Sequence, residues 1–232
     1  MYETTRTCSK RRPRRGLTSN LFLAINLSPR ITKGIEQAMT FSSFHDPRHL
    51  YFITASIVEW KQLFIKSEYA SIPLDSFTWM QEKKRILLFA FVIMPTHLHV
   101  VIKPKNAPIE DILQQFGSFT AHEILKRLQE NHQKELLDVF HQARRDKRHE
   151  HSIWQDIQAK NIYSTDFLWQ KMEYIHQNPT AKDWKLVKDR ADYVYSSAGY
   201  YDYERKPIIP ITDINKWLTS IPSAEDGGRS IK

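Results

Sequence analysis

The chain has a single cysteine, Cys8, among its 232 residues. One thiol per chain excludes an internal disulfide framework and a thiolate zinc cluster, and it fits a reducing compartment such as the cytoplasm. His, Asp, Glu and Asn remain as the available metal ligands. Long apolar runs are lacking as well. The longest, residues 86–95, falls well short of the roughly 20 residues that span a bilayer. Residues 21–27 form a short apolar run behind basic N-terminal residues, but Asn26 interrupts it and no small-residue cleavage site follows, so no secretion signal is expected. No internal repeat is found. A soluble protein without a membrane segment is the expectation.

Acidic residues are outnumbered, 26 against 34 Lys and Arg, for a formal net charge of +8. Such a surplus concentrates polyanions nearby, so nucleic acid or an anionic membrane surface is the natural partner, and charge alone does not choose between them. Hydrophobic residues make up 41% and aromatics 12% of the chain. A disordered polycation would be poor in both, so a folded core is expected.

Residues 1–45 carry clustered basic residues with weak hydrophobic periodicity and read as an arm, with Met39 an alternative start. Patterning begins at residues 50–58, a run of aromatic and β-branched residues that predicts a strand. Residues 66–84 mix charged and apolar positions at helical spacing, and Pro73 is expected to mark the first turn or a break. Residues 86–94 are apolar throughout and predict a central strand. Pro95-Thr96 turns the chain into a second strand at residues 97–102, so the two form a hairpin. From Ile109, apolar residues recur at spacings of three and four through Leu128, an amphipathic helix that Gly117 weakens locally. Residues 142–151, with Arg144, Arg145, Lys147 and Arg148, read as a basic loop. A short strand is expected at residues 153–157, and Ser164 or Thr165 can cap a helix running toward Asn178-Pro179. The order β, α, β, β, α, β, α predicts an α+β fold. Its first six elements match the split βαβ, ferredoxin-like arrangement, an antiparallel sheet with helices on one face, followed by a C-terminal helix. The domain is set at residues 46–204, with 205–232 as a tail.

Residues two apart in a strand point to the same face, so His97 and His99 present two imidazoles about 7 Å apart along the backbone. Leu98, Val100 and Ile102 then point to the other face, toward a core. Tyr174 and Asn178 are four apart on the predicted C-terminal helix and share a face, provided that the last turn holds before Pro179. A phenol is a potential nucleophile and an amide oxygen a potential ligand. Each feature alone is also what an ordinary strand or amphipathic helix contains.

Their combination is more specific. Met94-Pro95-Thr96-His97-Leu98-His99 resembles the histidine, bulky residue, histidine motif of the single-tyrosine HUH transposases, and residues 173–179, Glu-Tyr-Ile-His-Gln-Asn-Pro, resemble that family's second motif. Residues 192–198 together with Tyr200-Tyr201 are similar to the segment that follows in the branch called REP-associated tyrosine transposases. The resemblance spans roughly residues 47–203, with its three motifs in order. It implies that His97, His99 and Asn178 hold a divalent ion, Mg²⁺ or Mn²⁺, and that Tyr174 attacks DNA to leave a 5′-phosphotyrosine. The implied substrate is single-stranded, hairpin-bearing DNA, and the implied state a monomer, as in that branch, or a homodimer. Residues 182–187, Lys-Asp-Trp-Lys-Leu-Val, depart from the small glycine-containing turn usual there. The loop with Arg144, Arg145, Lys147 and Arg148 is a candidate track for DNA phosphates, and Trp154, Trp169, Tyr200 and Tyr201 are candidates for base stacking. Ser196 and Ser197 read as caps rather than phosphate contacts.

Three other readings compete. An HUH nickase of the replication-initiator or relaxase kind would use the same groups but tends to carry a third histidine or a helicase region, for which this chain is too short. A non-cleaving hairpin-binding protein would share the fold, although no aromatic ribonucleoprotein motif appears on the first or third strand. A metal-dependent hydrolase would need water as nucleophile and a carboxylate near the metal, with Asp111 or Glu173 as candidates.

Overall fold

Strand β1 (Leu50–Ile57) divides its side chains between two cores, and the rest of the fold follows from that division. The structure is a computed structural model and describes residues 49–144 and 151–221. Tyr51, Ile53, Ala55 and Ile57 face one core, whereas Leu50 and Phe52 face the other. Strands β2 (Ile86–Ile93) and β3 (His97–Pro104) form the expected hairpin. Strand β4 (Trp154–Ile162) closes a four-stranded antiparallel sheet in the order β2-β3-β1-β4. This is the α+β split βαβ arrangement expected from the order of elements. In β2 the register shifts between Leu88 and Ala90. The bulge places Phe89 and Ala90 in the same core, so the alternation resumes with Phe91 on the other side.

Helices α1 (Ser67–Glu82) and α2 (Ile109–Glu130) cover the first core, with Tyr69, Ile72, Phe77, Ile112, Phe116 and Ile124 buried beneath them. Pro73 neither opens nor breaks α1 but lies inside it and is buried. An interior proline costs a helix about 3 kcal/mol. Packing of Tyr69, Ile72, Leu74, Phe77 and Met80 against the sheet offsets that loss. Helix α2 runs through Gly117 unbroken. A Cβ at Gly117 would come within 2.9 Å of Ile157 Cδ1, so the missing side chain lets β4 approach the helix. A short helix α3 (Lys134–Gln142), with Phe140 buried, occupies part of the segment that the sequence left without structure. Strand β4 runs five residues beyond the expected Ile157. Its outer part alternates weakly because it lies at the sheet edge with Gln158 and Lys160 exposed, and pairing to β1 along its length holds it.

The second core lies on the opposite face, under α4 (Thr165–Gln177), α5 (Ala198–Tyr203) and α6 (Ile214–Ser220). Ser164 caps α4 by accepting a hydrogen bond from the Phe167 N–H at 3.2 Å. The stripe Leu168, Met172 and Ile175 faces the sheet. The expected tail from residue 205 needs correction. Ile209 and Ile214 are buried, Trp217 packs on Phe89 at 5.1 Å between ring centroids, and the Thr212 N–H donates to the Leu88 carbonyl. Residues 205–221 carry sparse apolar residues without a clear period, so their packing was hidden until β2 was in place. Residues 1–45, and Arg145, Lys147 and Arg148, lie outside the described residues.

Candidate active site

Sheet alternation sends His97 and His99 to the face opposite Leu98, Val100 and Ile102, away from α1 and α2. Both are nearly buried, at 7% and 4% exposure, and their ring centroids lie 4.9 Å apart. Strand β1 runs alongside, with Thr54 opposite His99 and Ser56 opposite His97. Thr54 Oγ1 shares a hydrogen bond with His99 Nδ1 at 2.9 Å, and Thr96 Oγ1 with His97 Nδ1 at 2.9 Å. With each Nδ1–H donating to its threonine, each Nε2 carries its lone pair toward Tyr174 and Asn178. Burial lowers the pKa of His97, and a hydrogen bond with the Asn178 side chain partly opposes that shift. Burial also lowers that of His99, to about 3, with His97 and Lys171 adding to the effect. Both rings are therefore neutral at physiological pH, the form that binds metal.

Helix α4 supplies the other two groups. Asn178 keeps helical angles, φ −48 and ψ −47, although proline follows, so the last turn holds and Tyr174 and Asn178 share a face. The Asn178 side-chain amide donates to the Tyr174 carbonyl at 2.8 Å, which fixes its orientation. Tyr174 is 47% exposed, and its hydroxyl lies 3.4 Å from His99 Nε2. Phe52 stacks on His99 at 5.2 Å and meets Tyr174 edge-on, forming the floor. These groups line a cavity of about 590 Å³ together with Gln158, Lys160 and Lys171. The Lys171 Nζ lies 5.0 Å from the Phe52 ring centroid and 5.6 Å from that of Tyr174. Sequence reasoning did not single it out, although its position three before Tyr174 on α4 was a usable signal.

Two neutral imidazole nitrogens and a fixed amide group suit a divalent ion that keeps open positions for substrate oxygens. Among the described residues no group of three or more His, Cys, Asp or Glu could hold a metal, so any site here depends on Asn178 as well as the histidines. Glu173 is turned away from the cavity. Burial pushes its carboxyl up, but hydrogen bonds from Arg190 at 2.7 Å and Gln177 outweigh that and hold it below the usual range. Asp111 lies in the first turn of α2, on the other face of the sheet.

The remaining expected site residues are not brought here. Arg144 is exposed at the end of α3, outside the residues that line the cavity. Trp154 is buried in the first core, its indole N–H donating to Thr120 Oγ1. Trp169 packs on the second core. Tyr200 donates to Asp213 Oδ2, and Tyr201 to the Phe89 carbonyl. Trp154 is therefore a core residue, and the other three are half-buried and lie outside the cavity lining. Ser197 accepts from the Phe91 N–H and lies 2.8 Å from His176 Nε2, and Ser196 accepts from the Ala198 N–H. Both serines are structural, as expected. The tryptophans at the cavity are instead Trp60 and Trp184, each 5.8 Å from His97 between ring centroids.

Among solved structures, the chain is similar to a REP-associated tyrosine transposase bound to a REP hairpin, at 20% identity and a TM-score of 0.46, over 83% of this chain and 98% of the other. It is also similar to a protein from Deinococcus radiodurans R1 provisionally described as a transposase, at 13% identity and a TM-score of 0.37, over 59% of this chain and 92% of the other. No family model and no curated protein matches. The reading of the site accordingly rests on its own residues.

Proposed function

We propose that the chain is a single-tyrosine HUH transposase of the REP-associated kind, which cleaves and rejoins single-stranded, hairpin-bearing DNA. The observation that carries this reading is the convergence of His97, His99, Tyr174 and Asn178 on one cavity, from two elements distant in sequence. Mg²⁺ or Mn²⁺ held by His97, His99 and Asn178 would supply Lewis-acid activation of the scissile phosphodiester. Tyr174 is the exposed nucleophile. Its oxygen bonds to phosphorus, the DNA 3′-oxygen leaves as a hydroxyl, and the strand remains joined as a 5′-phosphotyrosine. Attack by another 3′-hydroxyl on that ester reverses the step and joins the strands without ATP. The Tyr174 hydroxyl lies beside His99 Nε2, so the phenol sits next to the groups that would hold the metal, and the proton it loses balances the one that the departing 3′-oxygen gains. Lys171 and Lys160 place positive charge beside the attacked phosphate.

The hydrolase alternative lacks support because Glu173 is engaged by Arg190 and Asp111 is on the wrong face. The decisive experiment incubates the full chain and Tyr174→Phe with labelled single-stranded hairpin DNA from its own flanking sequence, in Mn²⁺ or EDTA, on a denaturing protein gel. A labelled adduct that requires both Mn²⁺ and Tyr174 is expected. Cutting without an adduct would make water the nucleophile, and binding without cutting would leave a recognition protein.

A further inference from the structure

Two indole rings flank His97, and the chemistry above uses neither. Trp60 follows β1 and Trp184 follows α4, so long-range folding alone brings them together at the same cavity. Trp60 is 55% exposed. Glu59 and Trp60 both have left-handed backbone, with φ of 51 and 52. Residues with a Cβ adopt that conformation at a cost of about 1–2 kcal/mol each. The turn is nevertheless pinned on both sides. The Val58 N–H donates to the Ile153 carbonyl at 3.0 Å, the Glu59 N–H to Gln155 Oε1 at 3.2 Å, and the Phe64 N–H to the Pro95 carbonyl at 3.0 Å. A large apolar ring is thus held in solvent beside the histidines by a strained and anchored turn, an arrangement that stability alone does not favour.

Trp184 is also held in place. Its backbone N–H donates to the Ala181 carbonyl, its half-buried ring packs against the edge of the second core, and the Leu186 N–H donates to the carbonyl of Pro179, the residue after Asn178. Lys185 takes a left-handed φ of 45 so that the loop can turn back. This is the segment 182–187 whose sequence departs from the usual turn.

The cavity walls between and beyond the indoles carry Lys160 and Lys171 and no carboxylate. Flat apolar faces beside cations suit a polyanion that has exposed π faces. A duplex hides its base faces in the stack, so the strand that fits is single. We propose that Trp60 and Trp184 form a stacking platform for an unpaired nucleobase of single-stranded DNA. Resting on the reading of Tyr174 as nucleophile, the inference further places that base next to the attacked phosphate.

The test uses the full chain carrying Tyr174→Phe, so that no covalent step contributes, and a hairpin oligonucleotide with a single-stranded flank. Affinity is measured by fluorescence anisotropy and stacking by quenching of tryptophan emission. Trp60→Ala and Trp184→Ala should each weaken binding roughly tenfold to a hundredfold, while Trp60→Phe retains most of it and circular dichroism spectra stay unchanged. An abasic site walked along the flank should cost the parent protein as much at one position, yet cost Trp60→Ala little more there. Full affinity in both alanine variants, or abasic losses that simply add, overturns the platform. So does a change of oligomeric state in Trp60→Ala without loss of DNA affinity, which would make the ring a contact between copies. If the native chain forms no adduct while the coupling persists, the nucleophile assignment fails and the base platform stands.

Discussion

Thr54 is a β1 residue with no chemistry of its own, yet it governs His99. Its hydroxyl is the partner of Nδ1, and without it the ring is free to place its proton on Nε2 or to rotate. Thr54→Val keeps the shape and removes the hydroxyl. It should weaken Mn²⁺ binding about tenfold or more, as measured by isothermal titration, with little change in melting temperature. An unaltered metal affinity would show that Phe52 stacking alone orients the ring. Local periods, two in a strand and four in a helix, put His97 with His99 and Tyr174 with Asn178 on shared faces, but only the resemblance to the transposase motifs joined the two pairs into one candidate site. Thr54, Lys171, Trp60 and Trp184 were not read. Thr54 and Trp60 become site residues only through the pairing of β1 with β3, and Trp184 through a loop whose sequence signalled only that it was unusual. Trp154, Trp169, Tyr200 and Tyr201 show the converse, since composition does not reveal which aromatics face the cavity.

Helix α4 carries Tyr174 and Asn178 on one face and a core stripe on the other, so its placement sets the candidate site. Its outer flank is tied down by Arg190, which pairs with Glu173 on α4 and Asp202 on α5, each at 2.7 Å. The Glu173 carboxyl sits below its usual range in the folded chain. Its contribution is therefore present above its unfolded pKa of about 4.3 and is lost as pH falls through the lower folded value. Arg190→Ala should cost about 1–2 kcal/mol near neutral pH, given that these ion pairs are only partly buried. Urea melts at stepped pH values should show that cost shrinking below about pH 4. A cost that is constant with pH would mean that the arginine acts through packing. The elements with strong periods were legible at this scale. Helix α1 outlasted its proline because its buried face dominates, and β4 was underestimated because an edge strand needs little apolar alternation.

At the scale of the molecule, the sheet is covered on both faces, and the second cover is completed by residues beyond 204. No helix among the described residues is long and apolar enough to cross a membrane. A chain ended after Glu204 would leave Phe89 without Trp217 and remove the buried Ile209 and Ile214. It should melt about 10 °C or more below the full chain, or aggregate, since each kcal/mol corresponds to roughly 2–4 °C at this size. Equal melting temperatures would return that segment to the status of a tail. The same two-faced sheet also constrains how this gene can change length. Removing one codon from β3 would exchange the faces of every strand residue beyond the lesion, sending an imidazole into the packed interior and a leucine or valine to the cavity side. Removing two would keep the facing. Insertions and deletions in this hairpin that persist in descendants should therefore come in pairs.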